Sequence, residues 1–369
     1  MQKDIYRRLQ EQLDQYSIGF PATESGVEIK VLKAMFNERE AALFTELTAE
    51  LETPGVIAGR LNRSEKELSE ELESMAQKGL LYRQRDSGSV RYSAIPFIHG
   101  LLEFQINILE KETIKLAGQY INEKLKYPMQ ALTGKFYRTI PVQQSVEAGH
   151  TVAPYDDACA ILRDQELIVL TDCACRRQRS QFGKDCGKPQ EVCFIFGAMG
   201  EYYLENGLGR KIDVDEAILI LTECQKEGLI TQPSNGRAPF TLCNCCGDCC
   251  GFLHALQKHP KPADMVTSNY TLIVDTDRCS GCGLCVDRCG LKAVTIDEDG
   301  LSELDRDRCI GCGVCVLTCP EKARTLVPKP PEEHKTPPSG TRGQMKMLAE
   351  KRGLEKIDSK IIVSFGFKD

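Results

Sequence analysis

The sequence has no tryptophan and little aromatic or histidine content. Aromatic residues make up 7% of the 369 residues, and there are only five histidines. Apolar residues still make up 41%, so the packed cores must be built mainly from aliphatic side chains. Motifs for nucleotide binding and hydrolysis are also missing: there is no G-x-G-x-x-G after a predicted strand, no P-loop and no recognisable Ser–His–Asp arrangement.

Long apolar runs are missing as well. No run approaches the roughly 18 residues that a membrane-spanning helix needs, and no signal-peptide core follows the charged start. The net charge of −6 disfavours general binding to nucleic acids or membrane surfaces. We therefore expect a cytoplasmic protein with no membrane span, whose 19 cysteines stay reduced and serve mainly to bind metal.

Cysteine is absent from residues 1–150, but it dominates residues 277–320, where one motif occurs twice. Each copy reads C-x2-C-x2-C-x3-C, and the second follows the first at an offset of 30 positions. The two-residue spacers let a tight loop place three thiolates around one cluster. Structural zinc more often uses paired C-x2-C motifs, and disulfides need an oxidising compartment, so the pattern favours two [4Fe-4S] clusters.

Residues 270–328 resemble a bacterial-type two-cluster ferredoxin. The resemblance implies a βαββαβ fold in which the last cysteine of each run binds the cluster of the other run. The implied ligand sets are Cys279, Cys282, Cys285 and Cys319 for cluster 1, and Cys309, Cys312, Cys315 and Cys289 for cluster 2. Gly290 departs from the family, which usually has proline after the first run.

Two further cysteine blocks lie between residues 173 and 250. Arg176, Arg177 and Arg179 flank the first block, and their charges would lower thiol pKa values and offset an anionic cluster. The second block has five cysteines in eight residues. The candidate further metal ligands are Cys173, Cys175, Cys186, Cys193, Cys243, Cys245, Cys246, Cys249 and Cys250.

The metal in these blocks is left open by the sequence. Iron–sulfur clusters, zinc and unligated thiols are alternatives for the first block, and metal binding or thiol redox chemistry for the second. Spacing groups Cys243, Cys246 and Cys249 as three ligands of one site, with Cys245 and Cys250 in another. We expect one or two iron–sulfur clusters here in addition to the two [4Fe-4S] clusters.

Residues 38–94 are predicted to run helix, helix, hairpin. Thr53 is predicted to cap a short helix, and Ser64 to open a second helix with a capping box. A hairpin follows over residues 80–94. The segment resembles the winged-helix domain of bacterial and archaeal regulators.

DNA is nevertheless disfavoured as a partner of this segment. Its second helix is rich in glutamate, which would repel DNA phosphates. The arginines of the hairpin, Arg83, Arg85 and Arg91, are the features that favour DNA. Docking of protein is therefore the preferred role.

Other elements are predicted from apolar periodicity and turn residues. Single helices are expected over Phe97–Lys126 and Pro189–Glu205, and a strand over Phe136–Val146. The helix Asp213–Glu227 and the hairpin after it form a second winged-helix-like unit. A terminal strand is expected over Lys360–Phe367. Two isolated cysteines, Cys159 and Cys224, are expected in apolar cores.

These patterns predict an α+β, multidomain chain. The predicted domains are a helical, winged-helix-like domain (1–130), a Cys-rich central α/β domain (131–262), a ferredoxin-like two-cluster domain (263–328), and a Pro-rich linker with a C-terminal tail (329–369). The central and ferredoxin segments together resemble larger, poorly characterised iron–sulfur proteins of anaerobes. That resemblance implies cluster binding.

The predicted function is relay of single electrons to or from a partner oxidoreductase in an anaerobic metabolism. Residues 264–328 carry seven basic and eleven acidic residues, which suits a partner with a basic surface. One alternative is a catalytic iron–sulfur enzyme with an open cluster site in the central domain. Another is a cluster-dependent, redox-sensing transcription regulator. A homo-oligomer that packs through the predicted long helix is also considered.

Overall fold

The structure is a computed structural model that describes residues 4–86, 88–150 and 152–354. It mixes helices with antiparallel strands, consistent with an α+β, multidomain chain. The helices are α1 (Ile5–Leu13), α2 (Val27–Met35), α3 (Glu38–Phe44), α4 (Pro54–Leu61), α5 (Glu65–Gln77), α6 (Leu102–Gln105), α7 (Lys111–Tyr120), α8 (Lys126–Phe136), α9 (Ala158–Arg163), α10 (Ala174–Ser180), α11 (Gly197–Glu205), α12 (Val214–Lys226), α13 (Gly251–Gln257), α14 (Leu284–Arg288) and α15 (Thr341–Lys351).

The strands are short. They are β1 (Tyr82–Asp86), β2 (Ser89–Ser93), β3 (Ile168–Asp172), β4 (Glu191–Phe196), β5 (Arg210–Ile212), β6 (Ile230–Pro233), β7 (Thr241–Cys245), β8 (Tyr270–Val274), β9 (Val294–Ile296), β10 (Ser302–Leu304) and β11 (Arg324–Pro328). No described helix is long and apolar enough to cross a membrane. The terminal strand predicted over Lys360–Phe367 lies outside the described residues.

The chain divides into two compact units. The first contains the residues up to Pro128, Ala198–Gly209 and the chain from Gly340, and the second contains Met129–Gly197 and Arg210–Ser339. The two central cysteine blocks lie in the second unit, and so does the ferredoxin-like segment.

Side-chain caps begin some of the helices of the first unit. Asn37 and Glu40 form a reciprocal capping box at the start of α3. The predicted cap of α4 is confirmed, because the Thr53 hydroxyl accepts a hydrogen bond from the Val56 N–H. The capping box predicted at Ser64 is wrong: Ser64 precedes α5, but its side chain makes no capping hydrogen bond.

The predicted hairpin is confirmed as β1 and β2, which pair from Tyr82 opposite Ser93 to Asp86 opposite Ser89. The single helix predicted over Phe97–Lys126 is wrong. Ile98, His99 and Gly100 have non-helical backbone angles, α6 is only four residues long, and α7 begins afresh at Lys111. Both sides of the break carry buried apolar side chains, so burial overrides the helical pattern at this point.

The second unit is built on one antiparallel sheet with strand order β5-β3-β4-β7-β6. Phe194 and Phe196 of β4 pack in its apolar core with Leu221 of α12. The helix predicted over Pro189–Glu205 is therefore wrong in its first half, which is the strand β4 followed by α11. The hairpin β6–β7, predicted as part of a second winged-helix-like unit, is incorporated into this sheet through β4.

The strand predicted over Phe136–Val146 is also wrong. Phe136 ends α8, and Tyr137, Arg138 and Val146 make only isolated bridges. Arg138 is buried and pairs with Asp156, while its guanidinium donates to the Gly236 carbonyl at 2.7 Å. The backbone of this segment bonds to several neighbours in turn, so it does not form a ladder with any single strand.

The ferredoxin-like segment consists of two antiparallel strand pairs, β8 with β11 and β9 with β10. A short helix, α14, follows the first two cysteines of the first run and contains the third, Cys285. The corresponding residues of the second run, 314–318, form a turn where the βαββαβ pattern predicts a helix. Tyr270, Leu272, Val294 and Leu326 form the apolar core of the segment.

Candidate metal centres

Two cavities in the ferredoxin-like segment are lined by cysteine. The first is bordered by Cys279, Cys282, Cys285 and Cys319, together with Ser302 and Arg324. The second is bordered by Cys309, Cys312, Cys315 and Cys289, among aliphatic residues that include Leu272 and Leu326. Each cavity thus combines three cysteines of one run with the last cysteine of the other run, which is the grouping implied by the resemblance to two-cluster ferredoxins.

Glycines allow the two cysteine loops to curl tightly. Gly281 and Gly311 have φ values of +66° and +68°. A Cβ atom at Gly281 would lie 2.0 Å from the Gly300 carbonyl oxygen, and one at Gly311 would lie 2.3 Å from that of Tyr270. Any side chain at either position would therefore collide with backbone.

The last cysteine of each run has an equivalent hydrogen bond. The Ala293 N–H donates to Cys289 Sγ at 3.1 Å, and the Ala323 N–H donates to Cys319 Sγ at 3.3 Å. Such donors stabilise a thiolate and tune the potential of a cluster bound to it. The last cysteines of the two runs are thus equivalent in this hydrogen bond as well as in sequence position.

Burial opposes ionisation of the thiols at the second cavity. It raises the pKa of Cys309 and Cys312, and it raises the pKa of Cys315 to about 12. At the first cavity, a hydrogen bond from Ser302 lowers the pKa of Cys279, whose Sγ lies 3.3 Å from the hydroxyl. Binding of a metal cluster would supply the positive charge that displaces these protons.

Arg324 lies between the two cavities. It is 3% exposed, it borders the first cavity, and its Nη1 lies 3.9 Å from Sγ of Cys315 at the second cavity. Its Nη2 is buried and has no hydrogen-bond partner. A buried cationic donor with a free N–H beside two thiol-lined cavities fits anionic iron–sulfur clusters, whose sulfur atoms accept hydrogen bonds.

A second thiol group, the six-thiol group, lies at one end of the inner strands β3, β4 and β7 of the five-stranded sheet. Interactions of the hydrogen-bond type connect its members in a closed ring, in which each thiol has two thiol neighbours. In ring order the members are Cys173, Cys175, Cys250, Cys245, Cys243 and Cys193. Most of these side chains are buried.

The register of the sheet explains why this ring forms. Cys193 of β4 lies directly opposite Cys243 of β7, and Cys245 is two residues further along β7, on the same face. Cys173 follows β3, and its N–H donates to the Gln190 carbonyl just before β4. Hydrogen bonds from neighbouring thiols lower the pKa of Cys173 and Cys250, so these two are the preferred anions of the ring.

The remaining three cysteines of the central blocks form a separate three-thiol group. Cys186, Cys246 and Cys249 have Sγ atoms within 4.8 Å of one another. The grouping predicted from spacing, Cys243 with Cys246 and Cys249, is not the one observed, because Cys243 points to the ring. Alternate residues of a strand share a face, whereas Cys246 and Cys249 lie in the turn after β7.

Arg176 is the counter-charge of both groups. Its guanidinium is buried and donates to the carbonyls of Pro189 at 2.7 Å and Asn244 at 2.9 Å. Burial alone would lower the pKa of Arg176, but the thiols of Cys173 and Cys246 raise it above its usual value. Of the arginines predicted to flank the first cysteine block, Arg176 therefore interacts with the thiols. Arg177 instead pairs with Asp172.

The turn that carries the three-thiol group touches the ferredoxin-like segment. A Cβ atom at Gly247 would lie 2.3 Å from the Gly290 carbonyl oxygen. The Gln257 side-chain amide donates to the carbonyls of both Gly247 and Gly290. Gly290 follows Cys289, so this contact joins the turn to the loop after the first ferredoxin run.

The sequence did not identify several residues at these centres. Tyr137, whose hydroxyl lies 3.6 Å from Cys243 Sγ, was placed in a predicted strand. Arg324 and Gly247 were also missed. A charged residue at the start of the last ferredoxin strand was a usable signal for Arg324, since that strand is expected to be partly buried.

Comparison with known proteins identifies one segment. A family model described as a 4Fe-4S dicluster domain matches residues 271–320. Among curated proteins and among solved structures, none matches this chain. The match implies that the ferredoxin-like segment binds 4Fe-4S clusters, in agreement with its two thiol-lined cavities.

Proposed function

We propose that this protein is a cytoplasmic iron–sulfur electron-transfer protein that relays single electrons to or from a partner oxidoreductase in an anaerobic metabolism. The observation that carries the proposal is the pair of cavities, each bordered by three cysteines of one run and the last cysteine of the other. The proposed ligands are those eight cysteines, and the proposed cofactors are two [4Fe-4S] clusters.

The two cavities differ in their surroundings. Clusters bound there would act as one-electron carriers, with potentials set by burial and by hydrogen bonds to sulfur. Cys282 at the first cavity is exposed, whereas the second is bordered mainly by aliphatic side chains. The first site is therefore the better placed to exchange electrons with an external partner.

The acidic balance of the ferredoxin-like segment favours a partner with a basic docking surface. Charge complementarity of this kind speeds the encounter of redox proteins and depends on salt. We expect the rate of electron exchange with such a partner to fall as ionic strength rises.

The six-thiol group is proposed as an additional iron–sulfur centre. Its six soft ligands exceed the four that a single tetrahedral ion or a simple cubane takes, so it suits a polynuclear cluster. It lies in the same unit as the ferredoxin-like segment, and the turn after β7 touches the loop that follows Cys289.

The proposal is tested on the full chain purified without oxygen. Iron and sulfide analysis should give about eight irons for the two cubanes, and more if the six-thiol group is loaded. Paramagnetic resonance should show clusters that a low-potential donor reduces. Cys282→Ser should reduce the signal of one cluster and spare the other. Intact clusters that accept no electron, or protein that stays folded without iron, would contradict the proposed function.

A further inference from the structure

The three-thiol group differs from the ferredoxin-like cavities in its spacing. Sγ of Cys186 lies 3.9 Å from Sγ of Cys246, and the Sγ atoms of all three cysteines lie within 4.8 Å of one another. Among the described residues, which include all eight ferredoxin cysteines, this is the group whose ligand atoms meet that limit.

The distance between the sulfur atoms distinguishes a single metal ion from a cubane. A tetrahedral ion with metal–sulfur bonds of about 2.3 Å places its thiolates about 3.8 Å apart. A cubane attaches each thiolate to a different iron corner, so its ligands stand further apart. The Cys186–Cys246 distance agrees with a single ion.

We propose that Cys186, Cys246 and Cys249 bind one mononuclear divalent ion of the zinc type, with a fourth position open to an exogenous ligand. In the described part of the chain, no fourth histidine, cysteine or carboxylate meets the same spacing limit. Three protein ligands plus one exchangeable position is the arrangement of catalytic zinc, whereas structural zinc has four protein ligands.

The exposure of the ligands supports an accessible fourth position. Cys246 and Cys249 are 3% and 6% exposed. Cys186 comes from the loop between α10 and β4, where its neighbours Asp185 and Gly187 are exposed. Two ligands are therefore fixed by the protein interior, and the third borders solvent.

Arg176 supplies the charge that such a site needs. Three thiolates and a divalent ion leave one net negative charge in a largely buried position. The Arg176 guanidinium interacts with the Cys246 thiol and is held in place by the two backbone carbonyls described above. The ligand for the open position is accordingly neutral water, which an added small thiolate can displace because zinc has affinity for sulfur.

The test combines metal analysis with zinc-edge X-ray absorption on the full chain. About one zinc per chain is expected, with three sulfur ligands and one nitrogen or oxygen ligand. Cys186→Ser and Cys249→Ser should each lose most of the zinc and leave the iron content unchanged. Cys159→Ser is the matched control, because Cys159 packs against the apolar core and belongs to neither thiol group. The Cys159→Ser variant should retain its zinc.

Addition of 2-mercaptoethanol probes the open position, and it should change the zinc shell from three sulfurs to four. A shell of four sulfurs from the outset, or a shell that the thiol leaves unchanged, would overturn the open position. Loss of about four irons in place of zinc in Cys186→Ser would assign these cysteines to a cubane instead. Because this outcome concerns zinc and three cysteines of the central blocks, it is distinguishable from failure of the ferredoxin clusters.

Discussion

At the scale of single residues, Arg324 shows how one buried charge can act on two centres. Its guanidinium borders the first cavity and approaches Cys315 at the second, with one nitrogen left unpaired. Reduction makes a cluster more negative, so a nearby buried cation stabilises the reduced form more than the oxidised form. The position of Arg324 therefore predicts a raised reduction potential.

Replacing Arg324 tests this effect directly. Arg324→Met should lower the midpoint potential of one or both ferredoxin clusters, as measured by a redox titration followed by paramagnetic resonance. Lys335→Met is the control, since Lys335 is exposed, its charge is screened by solvent, and it lies outside the ferredoxin-like segment. Equal midpoint potentials in wild type and Arg324→Met, with clusters intact, would show that the guanidinium does not tune them.

The cysteine-loop glycines give a second prediction at this scale. Gly281 and Gly283 both have positive φ, so alanine at either costs roughly 1–2 kcal/mol of backbone strain. At Gly281 the new Cβ would also meet the Gly300 carbonyl oxygen at 2.0 Å, whereas at Gly283 it meets nothing within 4 Å. Gly281→Ala should therefore lose about four irons per chain, and Gly283→Ala should keep them. Equal iron contents in the two variants would show that cluster binding does not depend on the close approach of Gly281 to the Gly300 carbonyl oxygen.

At the scale of elements, the hairpin β1–β2 is held by ion pairs to acidic side chains. Arg83 bridges Glu73 at 2.7 Å and Glu205 at 2.5 Å, and its side chain is 3% exposed. Arg85 contacts the same two carboxylates, and Arg91 pairs with Asp86. The arginines that favoured DNA as a partner are therefore engaged in ion pairs within the protein.

Arg83 and Arg85 should contribute differently to the free energy of unfolding, because Arg83 is buried and Arg85 is exposed. Arg83→Met should lower the free energy of unfolding by roughly 2 kcal/mol, because it removes charged hydrogen bonds from a buried side chain. Arg85→Met, at a side chain that is 46% exposed, should cost less than about 1 kcal/mol. Urea unfolding monitored by circular dichroism measures both, and a larger loss for Arg85→Met would refute this interpretation.

The helices and strands that could be predicted from the sequence are those with local signals. Elements with caps or turn residues, such as α4 and the hairpin β1–β2, were predicted correctly because their signals are local. The sequence predicts a helix where β4 forms, since a short apolar run that is buried on both faces has no period that distinguishes a strand from a helix. The break near His99 has no proline, but it includes Gly100, a residue that disfavours helix and whose signal the apolar pattern outweighs.

The grouping of the central cysteines failed for a related reason. Spacing along the chain reveals ligands that share one loop, as in the two ferredoxin runs, and it therefore favoured Cys243 with Cys246 and Cys249. Antiparallel pairing of β4 with β7 instead places Cys193 opposite Cys243, 50 positions further along the chain. Contacts made by sheet register leave no regular spacing in the sequence.

At the scale of the whole second unit, the contact between Gly247 and Gly290 connects the two cysteine-rich regions. The turn with Cys246 and Cys249 lies against the loop after Cys289, and Gln257 ties both carbonyls together. Such proximity favours an electron-transfer route from the proposed ferredoxin clusters to the proposed cluster of the six-thiol group. The contact depends on the absence of a side chain at Gly247.

Alanine at the two glycines tests this connection. Gly247→Ala places a Cβ 2.3 Å from a backbone oxygen, so the turn must move away from the ferredoxin-like segment. Gly290→Ala is the matched control, because its Cβ would lie 3.3 Å from the nearest atom, the Gly247 nitrogen, and needs only a small adjustment. In protein that keeps its iron and from which zinc has been removed, alkylation of Cys246 and Cys249 followed by mass spectrometry should be clearly faster in Gly247→Ala than in Gly290→Ala or wild type. The iron of the ferredoxin-like segment should survive in the loaded Gly247→Ala protein, since its eight cysteines lie outside the turn. Unchanged alkylation rates in Gly247→Ala would mean that the turn does not depend on this contact, and the route between the two regions would lose its structural support.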